Sequence, residues 1–285
     1  MMIEQNRILK DLCSYRTGGA AEFYAAVQTD DELAEALAFA AEKGLEITIL
    51  GGGYNVLISD KGVSGIVINT AGLNCHTTVN GTEVYAGAGI MIDDLAEMTA
   101  QAGLCGMEDM SGIPGTVGGA VRMNAGAFAT EIKDIAVCVD MMDWDGRRYR
   151  VQNADAGFGY RRADGLKGVV TGAMFRLKQG EPEAIKVRRA EILAKRDEKQ
   201  PLDFPSCGSV FKRPEGNYAG TLIEKCGLKG FRIGGAVVSE KHANFILNVD
   251  NAASDDIYSL ILHVQDTVEK ETGIRLEREV RFIGF

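Results

Sequence analysis

The sequence has no apolar run approaching the roughly 20 residues that cross a bilayer, which excludes a membrane-spanning helix. Histidine is scarce, and His76, His242 and His263 stand far apart. The six cysteines, Cys13, Cys75, Cys105, Cys138, Cys207 and Cys226, form no CxxC and no Cys/His zinc spacing. No catalytic metal is therefore expected, and the cysteines read as reduced thiols, mostly packed. Positive charge is also short. Lysine and arginine number 31 against 40 aspartates and glutamates, a formal charge of -9 with a pI near 5.0. Such a surface repels a phosphate backbone at long range, which argues against general nucleic-acid binding. A local basic cluster can still hold a small anion. The opening MMIEQNRILKDL lacks a basic region followed by an apolar stretch, so no secretory signal is read and a cytoplasmic location is expected. No obligate protein partner is evident.

Glycine is what the chain has in excess: 35 of 285 residues, about 12% against a usual ~7%. No repeat or low-complexity tract absorbs them, so they concentrate in particular loops. The length suits two or three domains. Residues 1–70 read as a small α/β unit: DDELAEALAFAAEKG is a helix with acids in its first turn and a closing Gly44, and EITILGGG and GIVINT are strands. Residues 71–200 are richer in sheet, with TEVYAGAG, two strands around the hairpin signal Asp145-Gly146, and KGVVTGAMFRL, besides the helix IDDLAEMTAQAG. The charged helix at 181–201 reads as a connector, its charges mostly in solvated i,i+4 pairs. Residues 201–285 form a last α+β domain with short strands at GGAVV and NFILNV, a helix at 254–273 and a terminal strand LEREVRFIGF.

Two loops carry the functional signal. GGGYNVL at 51–57 approaches a dinucleotide fingerprint, but Val56 stands where the third glycine belongs and no acid follows about 20 residues on. No P-loop pattern exists. What remains is a turn with backbone amides unshielded by side chains, able to face one anion. GIPGTVGGAVRMNAGA at 112–127 repeats the device, with five glycines and the single charge Arg122, and with a helix start after Pro114. Two such loops suit a pyrophosphate held from two sides. The competing reading is that the glycines only permit tight turns and close packing.

SYRTGG, GGGYNVL, GIPGTVGGAVRMNAGA, FGYRRAD, PSCGSVFKRP, AGTLIEKCGLKGFRIGGAVVSEKHANFILN and LEREVRFIG occur in this order from about residue 14 to the C-terminus. Together they closely resemble the UDP-N-acetylenolpyruvoylglucosamine reductase (MurB) family, in its shorter type II subclass, which lacks a long tyrosine-bearing loop. The resemblance implies an α+β, FAD-binding fold of the vanillyl-alcohol-oxidase (PCMH) type: two FAD-binding subdomains at 1–70 and 71–200, and a C-terminal substrate domain at 201–285. It implies non-covalent FAD, with NADPH as co-substrate, and reduction of an enolpyruvyl sugar nucleotide for peptidoglycan synthesis. The flavin-binding residues it implies are Gly51, Gly52, Gly53, Tyr54, Asn55, Val56 and Leu57 in the first loop. In the second they are Ser111, Gly112, Ile113, Pro114, Gly115, Thr116, Gly118, Gly119 and Ala120, then Asn124, Ala125, Gly126 and Ala127.

The resemblance further implies three catalytic residues. Ser209 in GSVF matches the proton donor, Arg161 in FGYRR the cation facing carboxylate and enolate oxygens, and Glu279 the catalytic acid. Arg162 is the rival of Arg161. Glu277, two residues before Glu279 on the same strand face, ranks second to it, and an acid among apolar strand neighbours is expected to have a raised pKa. Tyr160, Lys212, Arg213, His242 and Asn244 are expected on the UDP-sugar side, together with Lys241; contacts at Arg213 and Val237 depart from the family pattern. A flavin oxidase of the same fold with another substrate and a non-catalytic nucleotide-binding protein stay open as alternatives. The GSVF and EVRFIG pair disfavours the first, and intact Ser209, Arg161 and Glu279 the second.

Overall fold

A computed structural model describes residues 1–285. Helices and strands are interspersed along the chain, and two sheets are the largest. One has the strand order Ile3–Ile8, Ala20–Ala26, Val63–Asn69, Ile47–Leu50, the last two parallel. The other has five strands in the order Arg148–Gln152, Ala136–Met142, Val169–Arg176, Glu83–Gly87, Thr77–Asn80, all antiparallel.

By contacts the chain divides into two compact units. The first comprises residues 1–4, 23–52 and 65–196; the second comprises 5–22, 53–64 and 197–285. In the first, helix Asp30–Lys43 begins at Thr29, whose hydroxyl accepts the Glu32 N–H at 3.2 Å, and ends at Gly44 in the left-handed conformation (φ 63°). Its buried Leu33, Ala36, Leu37 and Ala40 join Ile66, Ile68 and Leu73, and also Ala88, Met142 and Val169. That core therefore draws on residues from both sides of position 70. A second core gathers helix Ile92–Gln101 and the five-stranded sheet around Leu95, Val117, Val139 and Phe175. The Asp145-Gly146 hairpin closes as expected, with Gly146 at φ 81°.

Helix Pro182–Lys199 differs from a solvated connector. Ile185 and Ile192 are buried, Arg188 pairs with Asp109 at 2.7 Å, and Arg189 pairs with Asp93 at 2.7 Å. Its N-terminal and middle turns are packed into the first unit. Only part of its charge forms the expected surface pairs, such as Lys186 with Glu183.

In the second unit, helix Ser254–Thr272 buries Ile257, Leu260, Ile261, Val264 and Val268. It packs against helix Ala219–Lys225, the strand Val56–Ile58, and a sheet of Arg232–Ile233, Ala236–Val238 and Ile246–Asn248. The expected C-terminal strand is shorter than its apolar pattern: the regular strand is Arg281–Ile283, parallel with Val56–Ile58. No helix is long and apolar enough to cross a membrane.

Candidate active site

In the first unit the two glycine loops meet. A Cβ built on Gly51 would lie 3.1 Å from the Thr116 hydroxyl, so the turn after strand Ile47–Leu50 rests against the start of helix Val117–Arg122. The N–H groups of Gly51, Gly52 and Gly115 find no acceptor in the chain. Gly118 packs so closely on Ala88 that an added Cβ would stand 3.1 Å from the Ala88 methyl. This is a cradle of bare main chain with unused donors.

The surrounding side chains hold that cradle in place. Gly112 (φ 72°) donates its N–H to Asp93 at 2.8 Å, and Arg189 donates to both Asp93 and the Ser111 hydroxyl at 2.7 Å. Burial opposes ionisation of Asp93, but hydrogen bonds from Arg189 and Gly112 hold its carboxyl below the usual range. Ser111 is fully buried and occupied by Arg189, so it anchors the loop rather than facing a ligand. Ile113 packs against the core, Pro114 and Gly119 are exposed, and Ala120 is buried. Arg122, the one charge of the stretch, donates to the Leu166 and Gly168 carbonyls and ties the short helix to the hairpin behind it.

Asn124, expected at the flavin, has its side chain engaged within the loop. Fully buried at φ 42°, it donates to Glu131 (3.1 Å) and to the Gly159 carbonyl (3.0 Å) and accepts the Lys133 N–H (2.9 Å). Both N–H groups of its carboxamide are committed, so it shapes the loop. Ala125, Gly126 and Ala127 follow half-buried. The network reaches Arg161: the hydrogen bond from Lys133 is the main cause of Glu131's lowered pKa, and the Arg161 charge adds to it. Arg161 occupies the tip of the hairpin Phe158–Gly159/Arg162–Ala163 at φ 56°, half-buried, with its guanidinium 5.1 Å from the Tyr160 ring. Arg162 is exposed and paired with Asp164 at 3.4 Å. Of the two arginines, Arg161 is the one whose charge acts on Glu131.

In the second unit, residues 210–212 run antiparallel to 277–279. The Glu279 N–H donates to the Val210 carbonyl at 2.8 Å, the Lys212 N–H donates to Glu277 O at 2.8 Å, and Phe211 faces Arg278. On the other side, Ser209 faces Phe245 and the Val210 N–H donates to Asn244 O at 2.8 Å. Ser209 and Glu279, both half-buried, are thereby set on adjoining segments. Glu279 lies before the strand, between Arg278 and Val280, not inside an apolar strand as expected. Its carbonyl accepts the Asn55 carboxamide at 3.2 Å, and the Asn55 carbonyl accepts the Arg281 N–H at 3.0 Å.

Asn55, Val56 and Leu57 thus brace this segment, and Leu57 is fully buried. Tyr54 is exposed. Gly53 (φ 74°) admits close backbone approach: a Cβ there would stand 1.9 Å from the Leu12 carbonyl oxygen.

Asn244, expected on the UDP-sugar side, is likewise engaged by main chain. It is 7% exposed, and its carboxamide accepts the Phe211 N–H at 3.0 Å and donates to the Phe211 carbonyl at 2.9 Å. It clamps the strand that carries Ser209 instead of reaching toward a sugar. Lys212 pairs with Glu277, which occupies that acid. Arg213 stacks over the exposed Tyr218 ring at 4.0 Å, and Lys241 donates to the Asp197 carbonyl at 2.6 Å. His242 is half-buried edge-on to Phe245, its Nδ1 is without a partner, and burial lowers its pKa, so the imidazole is neutral near pH 7. Val237 pairs across the sheet with Arg232 and Leu247. Asp93, Glu131 and Arg189 escaped sequence reasoning; Asp93 carried only the signature of a helix first turn.

Residues 21–152 match the FAD binding domain model, and residues 200–283 match the model of the UDP-N-acetylenolpyruvoylglucosamine reductase C-terminal domain. The chain is 42% identical to UDP-N-acetylenolpyruvoylglucosamine reductase 2 of Bacillus cereus over 99% of this chain and 93% of that one. It belongs to the UDP-N-acetylenolpyruvoylglucosamine reductase family. The Caldicellulosiruptor saccharolyticus reductase is likewise 42% identical over 98% of this chain and 91% of its own. The crystal structure of MurB from Thermus caldophilus superposes with a TM-score of 0.84 at 34% identity, covering 99% of both chains. A solvent-stable cholesterol oxidase, 15% identical with a TM-score of 0.52 over 63% of this chain and 38% of that one, shares the fold alone. The chain is thus an FAD-binding oxidoreductase of the vanillyl-alcohol-oxidase (PCMH) fold. The unused amides of Gly51, Gly52 and Gly115 beside Thr116 fit the diphosphate of such a cofactor: neutral donors bind an anion where an acidic protein offers few lysines.

Proposed function

We propose that this chain reduces the enolpyruvyl double bond of UDP-N-acetylglucosamine enolpyruvate with NADPH, giving UDP-N-acetylmuramate for peptidoglycan in the cytoplasm. The observation that carries the detailed reading is the antiparallel pairing of 210–212 with 277–279, which sets Glu279 opposite Val210, the residue next to Ser209, in a reductase of this family. Residues 1–70 and 71–200 hold the cofactor in this reading, and 201–285 carry the substrate.

FAD, held at its diphosphate by the amides of Gly51, Gly52 and Gly115, would supply the two-electron hydride chemistry between NADPH and the enolpyruvyl group. The Ser209 hydroxyl gives its proton to the α carbon. A hydroxyl is a weak acid, so the transfer needs a strongly basic enolate as acceptor and a firmly placed donor. Placement comes from both flanks: the Val210 and Phe211 main chain is held by Asn244 on one side and Glu279 on the other. Glu279 hydrogen-bonds the developing enol, and the fixed charge of Arg161 holds the carboxylate and enolate oxygens in bidentate fashion. Neutral His242 serves the sugar nucleotide as donor or acceptor, and the positive charges of Lys212, beside Glu277, and Arg213, over Tyr218, act on its phosphates.

The test separates two half-reactions. Anaerobic NADPH should bleach the flavin absorbance of Ser209→Ala at nearly the parental rate, while reoxidation by the enolpyruvyl sugar nucleotide slows by at least about 100-fold. Equal slowing of both steps removes Ser209 from the donor role. Glu279→Gln should slow the same second step, and full turnover in that variant would transfer the acid's task elsewhere.

A further inference from the structure

Two of the six cysteines are neighbours although 194 positions separate them. Cys13 follows a short helical turn, and Cys207 immediately precedes Gly208 and Ser209. Both thiols donate to one acceptor, the Val56 carbonyl, Cys13 at 3.3 Å and Cys207 at 3.0 Å. The segments that carry them are stitched together independently. The Ser14 hydroxyl donates to the Ser206 carbonyl at 2.8 Å and lies 3.1 Å from the Cys207 sulfur, while Asn248 bonds the Tyr15 carbonyl at 2.8 Å and its N–H donates to the Pro205 carbonyl at 3.0 Å.

We infer that Cys13 and Cys207 are a disulfide-forming pair, an oxidative modification site at the root of the segment that carries Ser209.

The pair is built for intramolecular coupling. Both sulfurs are buried, at 3% and 5% exposure, which admits a small oxidant but no protein partner. The other four cysteines offer no such neighbour: Cys75 is exposed, and Cys105, Cys138 and Cys226 bond only main chain or nothing. The two thiols are chemically unequal. The hydrogen bond from Cys207 outweighs burial at Cys13 and brings its pKa down to about 7, whereas burial pushes Cys207 well up. Tyr15, the other titratable group facing them, is also pushed up by burial and stays neutral. Cys13 is therefore the attacking thiolate and Cys207 the resolving thiol.

The oxidant is a peroxide. The Cys13 thiolate attacks one oxygen, forming S–O as O–O breaks, and the departing hydroxide takes a proton to leave as water. Cys207 then loses its proton and attacks the sulfenyl sulfur; S–S forms, S–O breaks, and a second water leaves. Two thiols lose two electrons and one peroxide becomes two waters. A low-molecular-weight dithiol reverses the change. Gly208, at φ 71° with nothing within 4 Å of an added Cβ, gives the Cys207 side room to adjust.

The flavin-loaded full chain is exposed to stoichiometric hydrogen peroxide, quenched, and alkylated under denaturing conditions. The expected result is two fewer alkylatable thiols than the six of the reduced chain, a mass lower by two hydrogen atoms, and one tryptic pair joining residues 11–16 to 200–212. Dithiothreitol should restore all six. Cys207→Ala should lose the cross-link and hold sulfenic acid on Cys13, which a second equivalent of peroxide carries on to sulfinic acid. Retention of all six thiols, chains joined only through Cys75, or sulfinic acid on Cys13 of the parent with Cys207 still free would each overturn the inference. These readouts do not depend on the proposed role of Ser209. A slowed reoxidation of the cross-linked enzyme would add a functional consequence that does rest on that role.

Discussion

Replacing Asn244 with alanine separates a clamp from a ligand. The change removes an acceptor from the Phe211 N–H and a donor from the Phe211 carbonyl, at 3.0 and 2.9 Å. Phe211 is 2% exposed, so water has little access to either group. A buried polar group left unpaired costs about 1–3 kcal/mol, and two of them in one residue give roughly 2–5 kcal/mol for Asn244→Ala. At roughly 2–3 °C per kcal/mol for a chain of this size, the melting temperature should fall by about 4–15 °C. Circular dichroism of flavin-saturated parent and variant reads this directly. Asn244→Asp keeps an acceptor for the N–H but turns a buried carboxylate toward the Phe211 carbonyl, and should be at least as damaging. A residue that instead gripped the sugar nucleotide would leave melting unchanged and raise KM. An unaltered melting curve with an elevated KM for Asn244→Ala therefore refutes the clamp.

Gly53→Ala should be severe, because its Cβ would fall 1.9 Å from the Leu12 carbonyl oxygen at φ 74°; a loss above about 3 kcal/mol is expected. Gly44→Ala is the control: its φ of 63° leads into open space, and a denaturant melt should register only about 1 kcal/mol. Asp93 carries a pH dependence. Its carboxyl is held below the ordinary 3.8 by Arg189 and the Gly112 N–H against the effect of burial, so its contribution is complete above that value and fades as pH falls through the lowered one. Flavin fluorescence should therefore report release below about pH 4, and Asp93→Asn should loosen the flavin at pH 7 and flatten that acid limb. Unchanged flavin retention in Asp93→Asn would mean the Asp93 to Gly112 bond does not support the cofactor loop.

What could be read from the chain was what local chemistry determines. Thr29 and Gly44 bound a helix because a hydroxyl and a missing Cβ satisfy its ends, and Asp145-Gly146 turns a hairpin because glycine tolerates a positive φ. The glycine loops announced unshielded amides for the same reason. Where local pattern and tertiary pairing disagreed, pairing won. The helix Pro182–Lys199 looks like a solvated rod by composition, yet Arg188 and Arg189 find Asp109 and Asp93, residues 79 and 96 positions away.

The amide side chains mark the boundary of legibility most sharply. Asn124 and Asn244 present the same donor and acceptor atoms whether they bind a ligand or the main chain, so residue type cannot separate the two uses. Only the fold shows that both are committed, one to Glu131 and Gly159, the other to Phe211. The acids behave alike: Glu277 and Glu279 share a face by spacing, but only the fold shows that Lys212 pairs with the first and that the main chain of the second bonds Val210 and Asn55. Arg161 and Arg162 divide in the same way, since Asp164 takes Arg162 at the surface while a positive φ turns Arg161 into the electrostatic reach of Glu131. In each pair of like residues the fold separates the two by the partner that one of them holds, Lys212 for Glu277 and Asp164 for Arg162, which spacing alone does not reveal.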